Sequence, residues 1–300
     1  MQNAFDVVIV GGSYAGLSAA LALGRALRKV LVIDSGTPCN GSTPHSHNFL
    51  TRDGETPAAI TKQARKELET YSTVTLLSGK VKYVIRRDWL FQICTEEEAF
   101  FHSKKILLAT GLKDEMPAIE GFADCWGITI LHCPYCHGYE VKKEPTGIIA
   151  NGDFGFDFIK VVSNWTDQLT VFTNGPSQFS GEQRSRIVSN GVPIVESEIV
   201  SVRHRAGFIK NIICKNGSSY EMKALYAKPA FRQQTDLASK LGCELTEQGL
   251  IRTDQFQKTS VPSVFAAGDN CNWGRAVSFS VASGSVAGMM INRELRDEEF

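Results

Sequence analysis

Residues 5–34 read Phe-Asp-Val-Val-Ile-Val-Gly-Gly-Ser-Tyr-Ala-Gly-Leu-Ser-Ala-Ala-Leu-Ala-Leu-Gly-Arg-Ala-Leu-Arg-Lys-Val-Leu-Val-Ile-Asp. Apart from Asp6, residues 5–10 are apolar, as expected of a parallel strand buried on both faces. Gly11-Gly12-Ser13-Tyr14-Ala15-Gly16 makes the turn, and the alanine- and leucine-rich stretch 17–27 reads as a helix. Residues 29–33 form the next strand, which ends in Asp34. Gly11 supplies the tight turn, and Gly16 lets helix and strand approach closely. The amides at the helix start face a pyrophosphate. Ser13 stands where the middle glycine is usual, and Asp34 is placed to accept hydrogen bonds from a ribose. This βαβ unit predicts dinucleotide binding.

The pattern continues outward from there. A polar stretch at 35–56 precedes a helix at 57–71, strands fill 74–93, and a buried strand at 105–109 ends in Thr110-Gly111. A second βαβ pattern starts at 147–149, with its turn at 150–155, a helix at 156–165 and a strand at 169–173. Strand-like segments recur at 192–195, 199–204 and 208–214. The chain closes with the strand and turn 263–269 and a helix at 276–295. The expected class is α/β, with two Rossmann-like, doubly wound nucleotide-binding domains, the first split by insertion of the second.

Between the two patterns lies His132-Cys133-Pro134-Tyr135-Cys136-His137. On such a scaffold, Cys133 and Cys136 point to thiol–disulfide chemistry, and a helix opened by this segment would stabilise a thiolate at its N-terminus. Three other readings compete. Cys133-x-x-Cys136-His137 fits c-type haem attachment literally. A zinc site needs about four ligands in tetrahedral array, which adjacent His132 and Cys133 supply poorly, although His45 and His47 can add two. Two buried structural thiols are the bland alternative. The doubly wound surroundings favour the redox reading, with no metal.

Composition sets the outer limits. Lys plus Arg equals Asp plus Glu at 32 each, so no global charge points to nucleic acid or a membrane surface. No apolar run is long enough to span a bilayer, and the first strand leaves no room for a targeting peptide. Eight cysteines with scattered spacing do not resemble a secreted disulfide scaffold, which makes the cytoplasm the expected location.

Gly11–Gly16, Ala109-Thr110-Gly111, Cys133–Cys136 and Ala266-Ala267-Gly268-Asp269, in that order, resemble the low-molecular-weight thioredoxin reductase family of flavoproteins over essentially the whole chain. The resemblance implies an FAD domain in two parts, 1–113 and 232–300, around an inserted NAD(P)-binding-like domain, 114–231, that carries the cysteines. It implies that Asp269 binds the ribityl chain and that the backbone at Arg275-Ala276-Val277 approaches the flavin ring. It also implies that Cys136 faces the flavin while Cys133 exchanges with substrate, and that the protein is a homodimer.

Departures from the family matter as much. The second turn has Ala150 for its first glycine, with Phe154 and Phe156 flanking Gly155. Its second strand ends Thr173-Asn174-Gly175, without the arginine pair that meets a 2′-phosphate. Arg184 and Arg186 follow later and are weak substitutes. A role for NAD(P)H is therefore doubtful. After Cys136 stands His137, where the family has an aspartate as proton donor, and histidine titrates near neutrality. With the loop at 45–54, this variant looks like the branch containing gliotoxin-type dithiol oxidases. That branch implies oxidation of a small dithiol with oxygen or another non-nicotinamide acceptor. Two alternatives are an NAD(P)H-dependent reductase of a thioredoxin-like protein and a non-enzymatic redox-sensing flavoprotein. His45 and His47 are either further acid/base groups or a cover for the flavin.

Overall fold

The apolar run at the N-terminus forms β1 (Ala4–Val10) and the next one β2 (Val30–Asp34), joined by α1 (Tyr14–Arg25). The structure is a computed structural model that describes residues 3–300. α2 (Pro57–Leu68) leads to β3 (Val74–Ser78), β4 (Val81–Arg87), β5 (Leu90–Thr95), β6 (Phe100–Leu108) and β7 (Leu112–Asp114). The sheet order is β3-β2-β1-β6-β5-β4. β1 pairs in parallel with β2 and β6, whereas β4, β5 and β6 form an antiparallel meander. The edge of β6 away from β1 is shared. Its first residues pair with β5 and its last, Ile106–Leu108, with β17 (Val264–Ala266).

Period-two alternation divides this sheet between two cores. Val7, Ile9, Val30, Val32 and Leu107 face α1 and α8 (Val277–Glu299), while Val8, Val10, Leu31, Ile33, Ile106 and Leu108 face the other side. α1 and α8 cross through small residues. A Cβ on Gly284 would lie 2.1 Å from the Ala15 carbonyl oxygen, and one on Gly288 2.8 Å from that of Ala19. Ser18 Oγ also donates to the Val281 carbonyl across the crossing (2.7 Å).

The middle of the chain contains α3 (Phe122–Cys125), β8 (Ile130–Leu131), α4 (Pro134–His137), β9 (Thr146–Ile149), α5 (Gly152–Val162), β10 (Leu169–Phe172), α6 (Gly181–Ser189) and β11 (Ile194–Val195). β12 (Ile199–Arg205), β13 (Phe208–Cys214), β14 (Ser219–Glu221) and β15 (Ala224–Ala227) follow. A parallel sheet runs β11-β10-β9-β15-β8, beside an antiparallel one, β12-β13-β14. After β16 (Phe231–Gln233), which pairs with β7, and α7 (Leu237–Lys240), the chain reaches β17 and α8.

Contacts divide the chain into two units. The first runs to Gly41 and includes Asn48–Lys113 and Phe231–Phe300; the second is Ser42–His47 with Asp114–Ala230. Both are α/β with parallel sheet centres, as the sequence predicts. Boundaries differ in detail. α1 begins at Tyr14 rather than 17, and α2 ends at Leu68 rather than 71. α5 begins at Gly152 rather than 156, because the Asn151 side chain accepts from the Gly152 amide and starts the helix inside the glycine turn. Among the described residues, no helix is long and apolar enough to cross a membrane.

Candidate active site

In the first unit, Gly11 has φ +106 and donates its N–H to the Ile33 carbonyl (2.8 Å). A side chain there would meet the Ala109 carbonyl oxygen at 2.2 Å, and one on Gly16 would lie 1.9 Å from the Gly11 oxygen. Ser13 has extended backbone (φ −97), which any residue adopts, so serine replaces the usual glycine without conformational strain. Gly12 lies against Asp34, where an added Cβ would sit 2.8 Å from the aspartate Cβ. Asp34 is ion-paired with Arg65 of α2, whose guanidinium also donates to the Gly12 carbonyl (3.1 Å). Arg65 was not foreseen, because 31 residues separate it from its carboxylate and no local pattern links them.

The closing turn gathers the remaining expected residues of this unit. Gly268 (φ +90) donates its N–H to Ser283 Oγ (3.0 Å), and the Asp269 carboxylate accepts from Ser280 Oγ (3.1 Å). Arg275 Nε lies 3.8 Å from Asp269, and its Nη2 donates to Cys39 Sγ at 3.0 Å. Ala276 is the N-cap of α8 and Val277 its first residue. Asn270, fully buried, ties this turn to the end of β6. Its Nδ2 donates to the Leu108 carbonyl (2.9 Å) and to Thr110 Oγ1 (3.2 Å), while its buried Oδ1 has no protein partner. Gly111 (φ +66) has open space where a Cβ would stand, so backbone conformation, not crowding, calls for glycine. Burial, then the nearby Asp269 charge, pushes the Cys271 thiol up to about 12, which keeps it protonated.

In the second unit, Cys133 and Cys136 form a disulfide with Cα atoms 5.3 Å apart. α4 is a single turn, with Pro134 at its start and Cys133 as N-cap, and the Cys136 amide lies 3.2 Å from Cys133 Sγ. One turn sums few peptide dipoles, so the helix-dipole effect expected from the sequence shrinks to this local amide. Gly138 is required by packing, since a Cβ would meet the Pro134 carbonyl oxygen at 2.6 Å and the Trp165 ring at 2.8 Å. The exposed Tyr135 ring stands edge-on to Trp165, with centroids 5.4 Å apart. Burial holds the His137 imidazole below the ordinary histidine range. The Glu140 carboxylate opposes this shift, and His47 adds to it. His47 Nε2 lies 3.5 Å from Glu140 Oε1, and the His45 ring is 6.4 Å from that of His47. His132 is half-buried. Among the described residues, no group of three or more His, Cys, Asp and Glu side chains is placed to hold a metal ion.

The second glycine turn is bound up in its own surroundings. Asn151 accepts from the Gly152 and Gln178 amides (3.0 and 2.8 Å) and donates to the Pro176 carbonyl (2.9 Å). Thr173 Oγ1 donates to the Gly175 carbonyl (2.7 Å), and Asn174 Oδ1 accepts from the Ile199 amide (2.8 Å). Arg184 is paired with Glu196 (2.8 Å), and Arg186 lies over the Phe156 ring. Phe154 stacks on Phe158 (5.5 Å), and the Lys228 ammonium covers both rings at 4.9 and 5.0 Å.

Residues 5–287 match the family model described as pyridine nucleotide-disulphide oxidoreductase. The chain belongs to this family. It is 32% identical over 307 residues to the thioredoxin reductase aclD of Aspergillus oryzae, a match covering 98% of each chain. Among solved structures it is similar to a putative thioredoxin reductase TrxB from Bacillus anthracis, with TM-score 0.94 and 29% identity over 99% of this chain and 100% of that one. It is also similar to HlmI, with TM-score 0.92 and 32% identity over 99% of this chain and 94% of the other.

The protein is thus an oxidoreductase acting on sulfur groups, with FAD as its cofactor. The residues present fit that group. Among the described helices of eight residues or more, α2, α5 and α6 carry side-chain N-caps, whereas α1 and α8 do not. These two helices start at Ser13 and Ala276, inside the two FAD-type motifs. Their first-turn amides are donors left for a ligand.

Proposed function

We propose that this chain oxidises dithiols to disulfides through Cys133 and Cys136, with FAD passing the electrons to oxygen or another non-nicotinamide acceptor. In this reading, FAD binding belongs to residues 1–113 and 232–300, and the redox pair to the insert 114–231. Gly11, Gly12, Ser13, Ala15 and Gly16 would hold the pyrophosphate and Asp34 the ribose. Asp269 would hold the ribityl chain, Thr110, Gly111 and Gly268 would complete the cofactor site, and the backbone at Arg275, Ala276 and Val277 would meet the ring.

A substrate thiol gives its proton to an imidazole nitrogen of His137, and the thiolate attacks Cys133 Sγ. A substrate–Cys133 disulfide forms and the Cys133–Cys136 bond breaks, leaving the electron pair on the Cys136 thiolate. The second substrate thiolate then attacks the substrate sulfur of that mixed disulfide. This closes the product disulfide and releases the Cys133 thiolate, the proton of the second substrate thiol having passed to solvent. FAD, when bound, supplies the two-electron acceptor for the resulting Cys133–Cys136 dithiolate.

The second glycine turn carries the direction of the reaction. Asn151, Thr173, Asn174 and Arg184 are each hydrogen-bonded or ion-paired within the unit, and the Lys228 ammonium lies over the ring of Phe154 in the first turn of the helix. That supports a dithiol, rather than NADPH, as the source of electrons. The names of relatives such as aclD favour the second reading, a nicotinamide-dependent reductase of a thioredoxin-like protein. Anaerobic mixing with NADPH, NADH and dithiothreitol, side by side, separates the two. Bleaching of the flavin by dithiothreitol alone is expected, with loss of dithiol turnover in Cys133→Ser and Cys136→Ser. Fast, NADPH-selective bleaching overturns the oxidase reading, and full turnover in either serine variant overturns the redox pair. A cytoplasmic homodimer completes the proposal, and sedimentation equilibrium checks the dimer.

A further inference from the structure

We propose that Glu140 is the positioning carboxylate of the disulfide site, holding the His47 ring and facing His137 so that a thiol proton can be lodged there. The inference rests on the thiol–disulfide reading above and adds a residue that no motif marks. Glu140 follows α4 by three residues, and its Oε1 lies 3.5 Å from His47 Nε2, on the segment Ser42–His47 that clusters with this unit. Gly127 (φ +80) approaches the start of that segment, where a Cβ would lie 2.6 Å from Ser42 Oγ and 3.2 Å from Thr43 Oγ1.

Two charged or titratable groups act on the His137 ring: Glu140 from its own segment and His47 from the 42–47 segment. His45 stands beyond His47, and the buried Tyr226 phenol of β15 feels the same Glu140 charge and has no hydrogen-bond partner of its own. Burial alone leaves His137 a poor base. A carboxylate beside it offsets the cost of the imidazolium formed when the attacking thiol gives up its proton. A protonated His47 works the other way, and the Glu140–His47 pair sets the balance between them.

The two partners therefore predict shifts of opposite sign. The rate at which dithiothreitol opens the Cys133–Cys136 disulfide in the anaerobic FAD-loaded protein is measured between about pH 5 and 9. Each variant is expressed as a ratio to wild type at the same pH, which cancels the titration of the reagent. Glu140→Gln makes His137 less basic, so its acid limb should move down by about 0.5–1 pH unit while its plateau rate falls. His47→Gln should move the limb up, and Glu140→Asp should return it towards wild type. A purely structural role for Glu140 lowers the rate equally at all pH values. An unmoved or upward-moved limb in Glu140→Gln, with flavin absorbance and circular dichroism intact, overturns the proposal. A wild-type disulfide that dithiothreitol does not open overturns the reading beneath it instead.

Discussion

Asn270 offers a sharp test of how the first unit holds its cofactor, because it is fully buried and its side chain ties the closing turn to Leu108 and Thr110. Asn270→Ala removes two hydrogen bonds, worth about 1 kcal/mol each, and leaves a small void worth about 1 kcal/mol more. The Leu108 carbonyl stays satisfied, since it also accepts from the Ala267 amide (3.0 Å), so the loss falls on Thr110 and on the Gly268–Asp269 turn. If about half of the 3 kcal/mol is felt at those proposed cofactor residues, the FAD dissociation constant should rise about tenfold, at 1.4 kcal/mol per tenfold. Flavin fluorescence titration of the apoprotein measures it. Lys105→Ala is the stability control. Lys105 is buried and is bound by Glu294 (2.7 Å) and Glu298 (2.5 Å) near the other end of α8. Breaking that cluster costs about 3 kcal/mol or more. It should lower the melting temperature at least as much as Asn270→Ala while leaving FAD affinity within about twofold. Equal loss of FAD in both variants, or none in Asn270→Ala despite a lower melting temperature, would refute the argument.

Two further outcomes follow from single residues. Burial keeps the folded-state pKa of His137 below its unfolded value, with Glu140 only partly opposing it, so the unfolded chain takes up the proton first as pH falls. The stability due to the neutral half-buried ring is complete above about 6.5, the unfolded value, and is lost as pH drops from there through the folded pKa. His137→Gln should flatten the melting temperature across that window, and an unchanged slope would count against it. Gly16→Ala places a methyl carbon 1.9 Å from the Gly11 oxygen, so the turn must open and the protein should purify without flavin. Gly111→Ala meets no atoms and strains only φ, costing about 1 kcal/mol, and should remain yellow. Similar flavin content in the two alanine variants would contradict this reading of the turn.

What the sequence made legible was what depends on near neighbours. The β1 run, the Gly11–Gly16 turn, Asp34 at the end of β2 and the small-residue start of α8 all sit in local patterns of period two or 3.6. α6 escaped although its signal was present: Ser180 and Gln183, three residues apart, form a capping box at the start of the helix. β15 is four residues long, too short to display a period of its own, so nothing set it apart from a loop. The groups that tune the site were not readable for a different reason. Arg65 meets Asp34 across 31 positions and Asn270 meets Thr110 across 160, and side-chain pairs of that kind leave no periodic trace. Glu140 lies near His137 in sequence, but its value depends on His47, which the chain brings back from far upstream.

The glycines of the second unit separate packing from ligand binding. Gly147 remains because a Cβ would lie 2.8 Å from Leu225, and Gly155 because one would lie 3.0 Å from the Ala150 backbone. Both serve the contact of strand with helix or neighbouring strand, which the sheet needs whether or not a nucleotide binds. Ala150 is a side chain at the position where a nucleotide turn carries its first glycine, and Asn151, in the same turn, now spends its amide on Gly152, Gln178 and Pro176. Gly147 and Gly155 thus answer to internal packing, while Asn151, in the turn where a phosphate would sit, is engaged in internal contacts. In the proposed oxidase, the scaffold presents the Cys133–Cys136 turn without having to admit a nicotinamide nucleotide. This is why the oxidase direction is preferred, and why NADPH reduction is the measurement with most leverage over it.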